Sequence, residues 1–269
     1  MFYGRVLNIQ AAGPGKTALI MPGLGATYDK FILTLGGGLA AADIEEVRIK
    51  ANDVEIFVDS GVNLNLRQAY KGIATDAGEL VIDFTEPHAR GDASQQYMAS
   101  LPANLLKKLV IEVDIADDEG MGEDFTKLGC AAEYRGPTQN PFILKRRLVN
   151  DFMPAAGRKD LILPSGFSGG MIKRVWMHDG GKVDAAQLIV GKMYVLDFED
   201  IAELSRVQER NGLVPQENID VLDFIADGNL NGILDTTKYP GDIALRLTAS
   251  EAEPLQLYID YIDPISRLK

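Results

Sequence analysis

One cysteine (Cys130), one tryptophan (Trp176) and two histidines (His88 and His178) are all that 269 residues supply of these side chains. A lone cysteine excludes an internal disulfide and fits folding in a reducing cytoplasm. Its neighbours Gly129, Ala131 and Ala132 point to a small buried thiol with no base beside it. Two histidines so far apart make neither a metal cage nor a triad, and a cupin-type enzyme, which needs a histidine cluster, is excluded with them. Aromatic residues are 7% of the chain, which leaves little for the stacking platform of a carbohydrate-binding sandwich. Positive charge is also short: 27 Lys and Arg against 39 Asp and Glu, a net charge of −12. Neither half is basic, so a broad nucleic-acid face is excluded. No apolar run reaches the roughly 20 residues that span a bilayer, and Met1–Gly13 lacks the pattern of a signal peptide. The expectation is a soluble, non-secreted protein that is not an enzyme.

What is present is alternation. Glu79-Leu80-Val81-Ile82-Asp83-Phe84 has a counterpart in Ile219-Asp220-Val221-Leu222-Asp223-Phe224, sharing Val, Asp and Phe at the third, fifth and sixth places. The period of two predicts a strand with one buried and one wet face. Each copy follows a strand pair and a helix-like segment, and precedes a polar loop and another alternating strand. In the first half, Val47/Ile49 and Val54/Ile56/Val58 flank the turn Asn52-Asp53, a hairpin by pattern and turn chemistry. A short helix is predicted over Asn63–Ala74, and Leu109–Ile115 alternates before an acidic loop over Asp117–Asp124. In the second half, Phe142–Phe152 reads equally as helix or strand, Met171–His178 turns at Asp179-Gly180-Gly181, and Gln187–Val195 returns. Phe198–Asn211 has the marks of a helix, with Asp197 and Asp200 for its N-cap and Gly212 at its stop. Many short strands with few helices mean an all-β chain of sandwiches rather than a parallel α/β sheet. Gly136-Pro137-Thr138-Gln139-Asn140-Pro141 reads as a linker, giving tandem domains 1–138 and 139–269, two copies of one β-rich unit with short helices in the loops.

Chemistry is sparse. Gly13-Pro14-Gly15-Lys16-Thr17 is not a phosphate loop, because Gln10 stands where its first glycine belongs and a strand follows. Lys145-Arg146-Arg147 reads as a solvated face, and Arg90-Gly91-Asp92 as a loop turn. Trp176 reads as a core residue, set against an interface anchor. The sharpest local pattern is Asp227-Gly228-Asn229-Leu230-Asn231-Gly232-Ile233-Leu234-Asp235. Asp227, Asn229, Asn231 and Asp235 place oxygens at the first, third, fifth and ninth positions, with glycine at the sixth. This is the opening of a calcium loop, although Lys238 stands where a bidentate Glu should be. It is set against a plain turn rich in Asx residues.

Leu19-Ile20-Met21-Pro22-Gly23, Thr27-Tyr28 and Asp43-Ile44-Glu45-Glu46-Val47-Arg48-Ile49 resemble the N-terminal domain of the corticovirus major capsid protein. That family is the double jelly-roll coat protein of tailless, membrane-containing bacteriophages. The resemblance implies two eight-stranded jelly rolls, and a homotrimer of pseudo-sixfold outline packed into an icosahedral shell over an internal membrane. It also implies vertex (penton) and membrane-associated virion proteins as partners, no direct nucleic-acid binding, synthesis in the host cytoplasm, and structural Ca2+ in support of the Asp227 loop. The alternative from the residues alone is a bacterial β-sandwich module that binds carbohydrate or another ligand.

Overall fold

The computed structural model describes residues 1–10, 12–91, 93–117, 127–164, 170–239 and 243–268. The acidic loop expected over Asp117–Asp124 lies, beyond Asp117, outside the described residues. The first half runs β1 (Phe2–Arg5), β2 (Ile9–Gln10), β3 (Thr17–Ile20), β4 (Thr27–Thr34), β5 (Ile44–Ala51), β6 (Val54–Asp59), α1 (Gly61–Tyr70), β7 (Glu79–Asp83), α2 (Ala93–Gln96), β8 (Leu101–Pro102), β9 (Leu109–Ile115) and β10 (Gly129–Arg135). The second runs β11 (Phe142–Met153), β12 (Gly157–Ile162), β13 (Met171–His178), β14 (Val183–Val190), β15 (Met193–Phe198), α3 (Ile201–Arg210), β16 (Ile219–Asp223), β17 (Leu234–Asp235), β18 (Ile243–Ala249) and β19 (Glu253–Pro264).

The same weave is made twice. One sheet of the first half has the order β1-β10-β4-β7, and the other is β3-β9-β5-β6 with β2 on its edge. In the second half the orders are β11-β19-β13-β16 and β12-β18-β14-β15. Taken in chain order, the strands alternate between sheets in one pattern in both halves, which is two jelly rolls. Short helices sit at equivalent places, α1 before β7 and α3 before β16. The keyed strands share a register as well. Lys30 faces Asp83 and Phe31 faces Ile82, as Arg174 faces Asp223 and Val175 faces Leu222. Even the next backbone bond repeats, Phe84 N–H to the Asp29 carbonyl and Phe224 N–H to that of Lys173.

Local chemistry accounts for most elements. Asn52 and Asp53 both take positive φ, 52° and 66°, as the tight primed hairpin turn requires. Ser60 caps α1 by accepting from the Asn63 amide, and Asp200 caps α3 by accepting from the Ala202 amide. Asp197 is not part of that cap; it lies in β15 and accepts from Gln187 Nε2 at 2.6 Å. Phe142–Met153 resolves as strand. The return expected over Gln187–Val195 is two strands, because Gly191 (φ 60°) reverses the chain between β14 and β15. The core of the second jelly roll is aliphatic, with Val175, Leu188, Leu222, Leu245 and Ile259 fully buried.

Two compact units emerge, Met1–Pro87 with Asp92–Arg146 and Pro264–Lys269, and His88–Gly91 with Arg147–Asp263. Residues just past Thr138 stay with the first unit for evident reasons. Thr138 bonds Thr27 through side chain and backbone, and Asn140 Nδ2 donates to the Met98 carbonyl at 2.5 Å. Arg146 is buried there too.

Candidate assembly surfaces and the polar sites behind them

The first keyed strand alternates as expected, with Glu79, Val81 and Asp83 half-buried and Leu80 and Ile82 fully buried, but the acids on it do not reach solvent. The side chains of Asp83 and Asp223 are each 1% exposed, and each closes the end of its strand on a cation: Lys71 Nζ at 3.5 Å for Asp83, Arg174 Nε at 2.7 Å for Asp223. Both also accept from the amide two residues on, Thr85 N at 2.8 Å and Ile225 N at 3.0 Å. A carboxylate that satisfies a strand end and neutralises a buried cation is a structural device. In the first unit a second knot lies at the junction of β6 and α1. Asp59 is buried, accepts from Arg67 Nε at 2.5 Å and from the Ser60 amide at 3.1 Å, and is bonded by Arg146 Nη1. The Arg146 guanidinium also lies 4.6 Å from the Phe57 ring centre. The basic triplet 145–147 is thus not a solvated face at its centre. A buried partner was invisible in a sequence where Asp59 lies far from Arg146.

Other expectations resolve as follows. Cys130 is buried, and burial pushes its thiol up to about 12. Trp176 is in the core and donates Nε1–H to Asp260 Oδ2 at 2.9 Å. His178 packs edge-on against Tyr258, ring centres 5.1 Å apart. Asp92 of the Arg90-Gly91-Asp92 string lies outside the described residues. Among the described residues no three His, Cys, Asp or Glu side chains stand together where they could hold a metal.

In the Asp227–Asp235 loop the oxygens serve the backbone. Asp227 accepts from the Asn229 amide, Asn229 from the Asn231 amide, and Asp235 from Thr237 N and Oγ1. The Thr237 hydroxyl, its amide and Lys238 hold the Asp235 carboxyl below its ordinary range. Gly232, which a calcium loop would use for its sharp turn, is glycine for another reason, since a Cβ there would lie 2.2 Å from the Phe224 carbonyl oxygen. Gly228, at φ 75°, lets the His88 carbonyl approach equally closely. The donor set fits turn capping better than a hard-cation shell.

The outward faces differ between units. On β3-β9-β5-β6, Arg48 bonds Glu112 at 3.1 Å, Glu46 at 2.7 Å and Asp114 at 2.7 Å, and Lys50 bonds Glu112 at 2.8 Å. Burial works against the Arg48 charge, but these carboxylates hold its pKa above the ordinary value. On β12-β18-β14-β15, register places Ile162, Ala244, Ile189 and Tyr194 in one row. The next row is Asp160, Arg246, Gln187 and Asp197. Arg246 pairs with Asp160 at 2.6 Å and donates to the Tyr194 hydroxyl at 3.3 Å. Ile162 is 70%, Met193 65%, Tyr194 54% and Val195 47% exposed. A cleft of about 720 Å³ in the first unit is lined by Asn52, Leu105, Lys108, Ile265 and Leu268 among others. The exposed aromatics among the described residues, Phe2, Tyr3, Phe152, Tyr194 and Tyr239, lie on four different segments.

Comparison with known proteins bears on these surfaces. A family model described as the viral coat protein P2 N-terminal domain matches residues 3–133, and one described as the viral coat protein P2 C-terminal domain matches 144–265. No curated protein matches the sequence. The fold is similar to that of the major capsid protein P2 from bacteriophage PM2, with TM-score 0.88 and 20% identity over 99% of this chain and 98% of that one. It is also similar to the major capsid protein of Sulfolobus turreted icosahedral virus, at 0.69 and 13% over 98% and 97%. The capsid of PBCV-1 gives 0.63 and 10% over 97% and 92%.

Proposed function

The chain belongs to the viral coat protein P2 family, a viral major capsid protein and not an enzyme, and from that premise we propose that it forms a homotrimer of pseudo-sixfold outline that tiles an icosahedral shell over an internal membrane. The observation that carries this reading is the duplication itself. Two jelly rolls with one strand order, one register at the keyed strand and one carboxylate closing it mean that three chains present six like modules. Cyclic association of three such chains fills a six-neighbour position with a single gene product.

Charge supports a division of labour. With −12 overall, the coat leaves genome contact to other components. Its partners are copies of itself, a vertex protein and membrane-associated virion proteins, and it is made in the host cytoplasm before joining the virion. Light scattering on purified protein tests the reading: the mass expected is that of three chains, and a monomer at micromolar concentration overturns it.

A further inference from the structure

In the first unit the residue before the cap of α1 is Asp59, and in the second the residue before the cap of α3 is Glu199. Asp59 is buried and closed by Arg146. Glu199 is exposed and, among the described residues, meets no cation. We propose that β1 of a second copy supplies the missing partner, its Arg5 reaching Glu199, so that the second unit of each chain docks on the first unit of the next. The inference rests on the reading that the protein associates with itself in a ring.

The chain carries its own template for this contact. Arg146 stands in β11, whose residues up to Arg146 belong to the first unit and which is the edge strand of β11-β19-β13-β16. The strand holding the same edge in the first unit's sheet, β1-β10-β4-β7, is β1. In a ring of three chains whose like modules alternate, an arrangement made once inside the chain recurs between chains. The passage from β6 into α1 takes its arginine from β11, the edge strand that opens the second sandwich. By the same rule the passage from β15 into α3 takes its arginine from β1, the edge strand that opens the first sandwich of the next copy. The contact joins unlike surfaces, and three repeats of it close a ring in which first and second units alternate.

The two surfaces are complementary. β1 has one partner strand among the described residues, β10. The Phe2 ring lies 5.7 Å from that of Tyr134, and the Val6 amide donates to the Cys130 carbonyl at 2.8 Å, so β1 is already in place and docking need not order it. Register sets Tyr3 opposite Glu133 and Arg5 opposite Ala131, which puts Tyr3 and Arg5 on one face. Both are exposed, Tyr3 at 65%. Arg5 is the only charged side chain in residues 1–10. Residues 193–203 hold Asp197, Glu199, Asp200 and Glu203, all exposed, and no base. Asp197 is engaged by Gln187 and Asp200 by the Ala202 amide, which leaves Glu199, the counterpart of Asp59, for the incoming guanidinium. Tyr3 and Leu7 on either side of Arg5, and Tyr194 and Val195 on β15, are exposed apolar side chains that the same contact covers.

Cross-linking of the full chain tests the contact. Arg5→Lys keeps the charge and places an amine there. Chains of this variant, half of them carrying heavy nitrogen, are assembled together and treated with a carbodiimide, which couples an amine to a carboxylate in contact with it. Mass spectrometry should find peptides joined through position 5 and Glu199, with light and heavy partners in one linked product. Charge exchange gives a second measurement that needs no coupling chemistry. Arg5→Glu and Glu199→Arg should each weaken association roughly tenfold, and the double exchange in one chain should restore it. Wild-type protein that forms trimers, while the link is absent and the charge variants associate normally, overturns the contact alone. Links from position 5 only to other acids, or only within single-isotope products, overturn it too. A wild-type chain that stays monomeric overturns the ring reading itself, and this contact with it.

Discussion

In the first unit the passage from β6 into α1 is sealed by Asp59, a carboxylate with no exposure held by Arg67 and Arg146. In the second unit the same passage, from β15 into α3, turns on Asp200, which is 62% exposed and lies 3.6 Å from Arg206. The outward sheets differ in the same sense, with Arg48 and Lys50 tied into a lattice of carboxylates on one and an exposed apolar row on the other. One strand order thus serves two economies of charge. On its outward sheet the first unit ties its charges into a lattice, whereas the second carries exposed apolar side chains beside the Arg246–Asp160 pair.

The sharpest way to break that contrast is at the junction. Asp59→Ala leaves two arginines without their buried carboxylate and should cost about 3–5 kcal/mol. Asp200→Ala removes an exposed cap and should cost about 1 kcal/mol. Denaturant titration measures both, and equal losses would erase the distinction. Next comes the shared device at the keyed strand. Arg174→Met strands Asp223 and should cost about 3 kcal/mol, while Arg174→Lys, which supplies the cation type that Lys71 offers Asp83, should retain most of the stability.

A third test converts one unit toward the other. Asp220 occupies the place that Leu80 fills in the first unit, as the shared register shows. Burial, and then the nearby Asp179, push the Asp220 carboxyl up to about 7 from 3.8. Because its folded pKa is raised, the native state holds this proton more tightly than the unfolded chain. Its contribution is most favourable below pH 3.8 and declines as pH climbs toward 7. Asp220→Leu should remove that decline and gain on the order of 2 kcal/mol at pH 8, read from melting curves across pH. A wild-type profile flat across that window would sink the assignment. The smallest expected effect is at the Asp227–Asp235 loop, where calorimetric titration with calcium should give no heat at millimolar concentration. Measurable binding lost in Asp227→Asn would restore the ion.

Much of this was legible beforehand because it was periodic or local. The keyed strands, the Asn52-Asp53 hairpin and the Asp200 cap follow from alternation and turn chemistry, which neighbouring residues impose. The Gly191 reversal was lost inside an apolar stretch that read as one strand. The acids were misread for a different reason. Asp83 and Asp223 alternate like solvent-facing residues, and nothing nearby in sequence reveals that Lys71 and Arg174 arrive to bury them. Spacing alone is also blind to backbone approach: at Gly232 a Cβ would meet the Phe224 carbonyl, a constraint that the calcium pattern does not carry. The outward row Ile162, Ala244, Ile189 and Tyr194 needs the register of four strands, which periodicity does not supply.

The partition of the chain bears on any attempt to dissect it. His88–Gly91 belongs with the second unit and Pro264–Lys269 with the first. Cutting the gene after Thr138 therefore gives two polypeptides, each deprived of a short piece that the other still carries. Expressed singly, such fragments would be incomplete sandwiches with raw ends; co-expressed, they could return the borrowed segments to one another, and recovery of a soluble pair from two insoluble parts would be its signature.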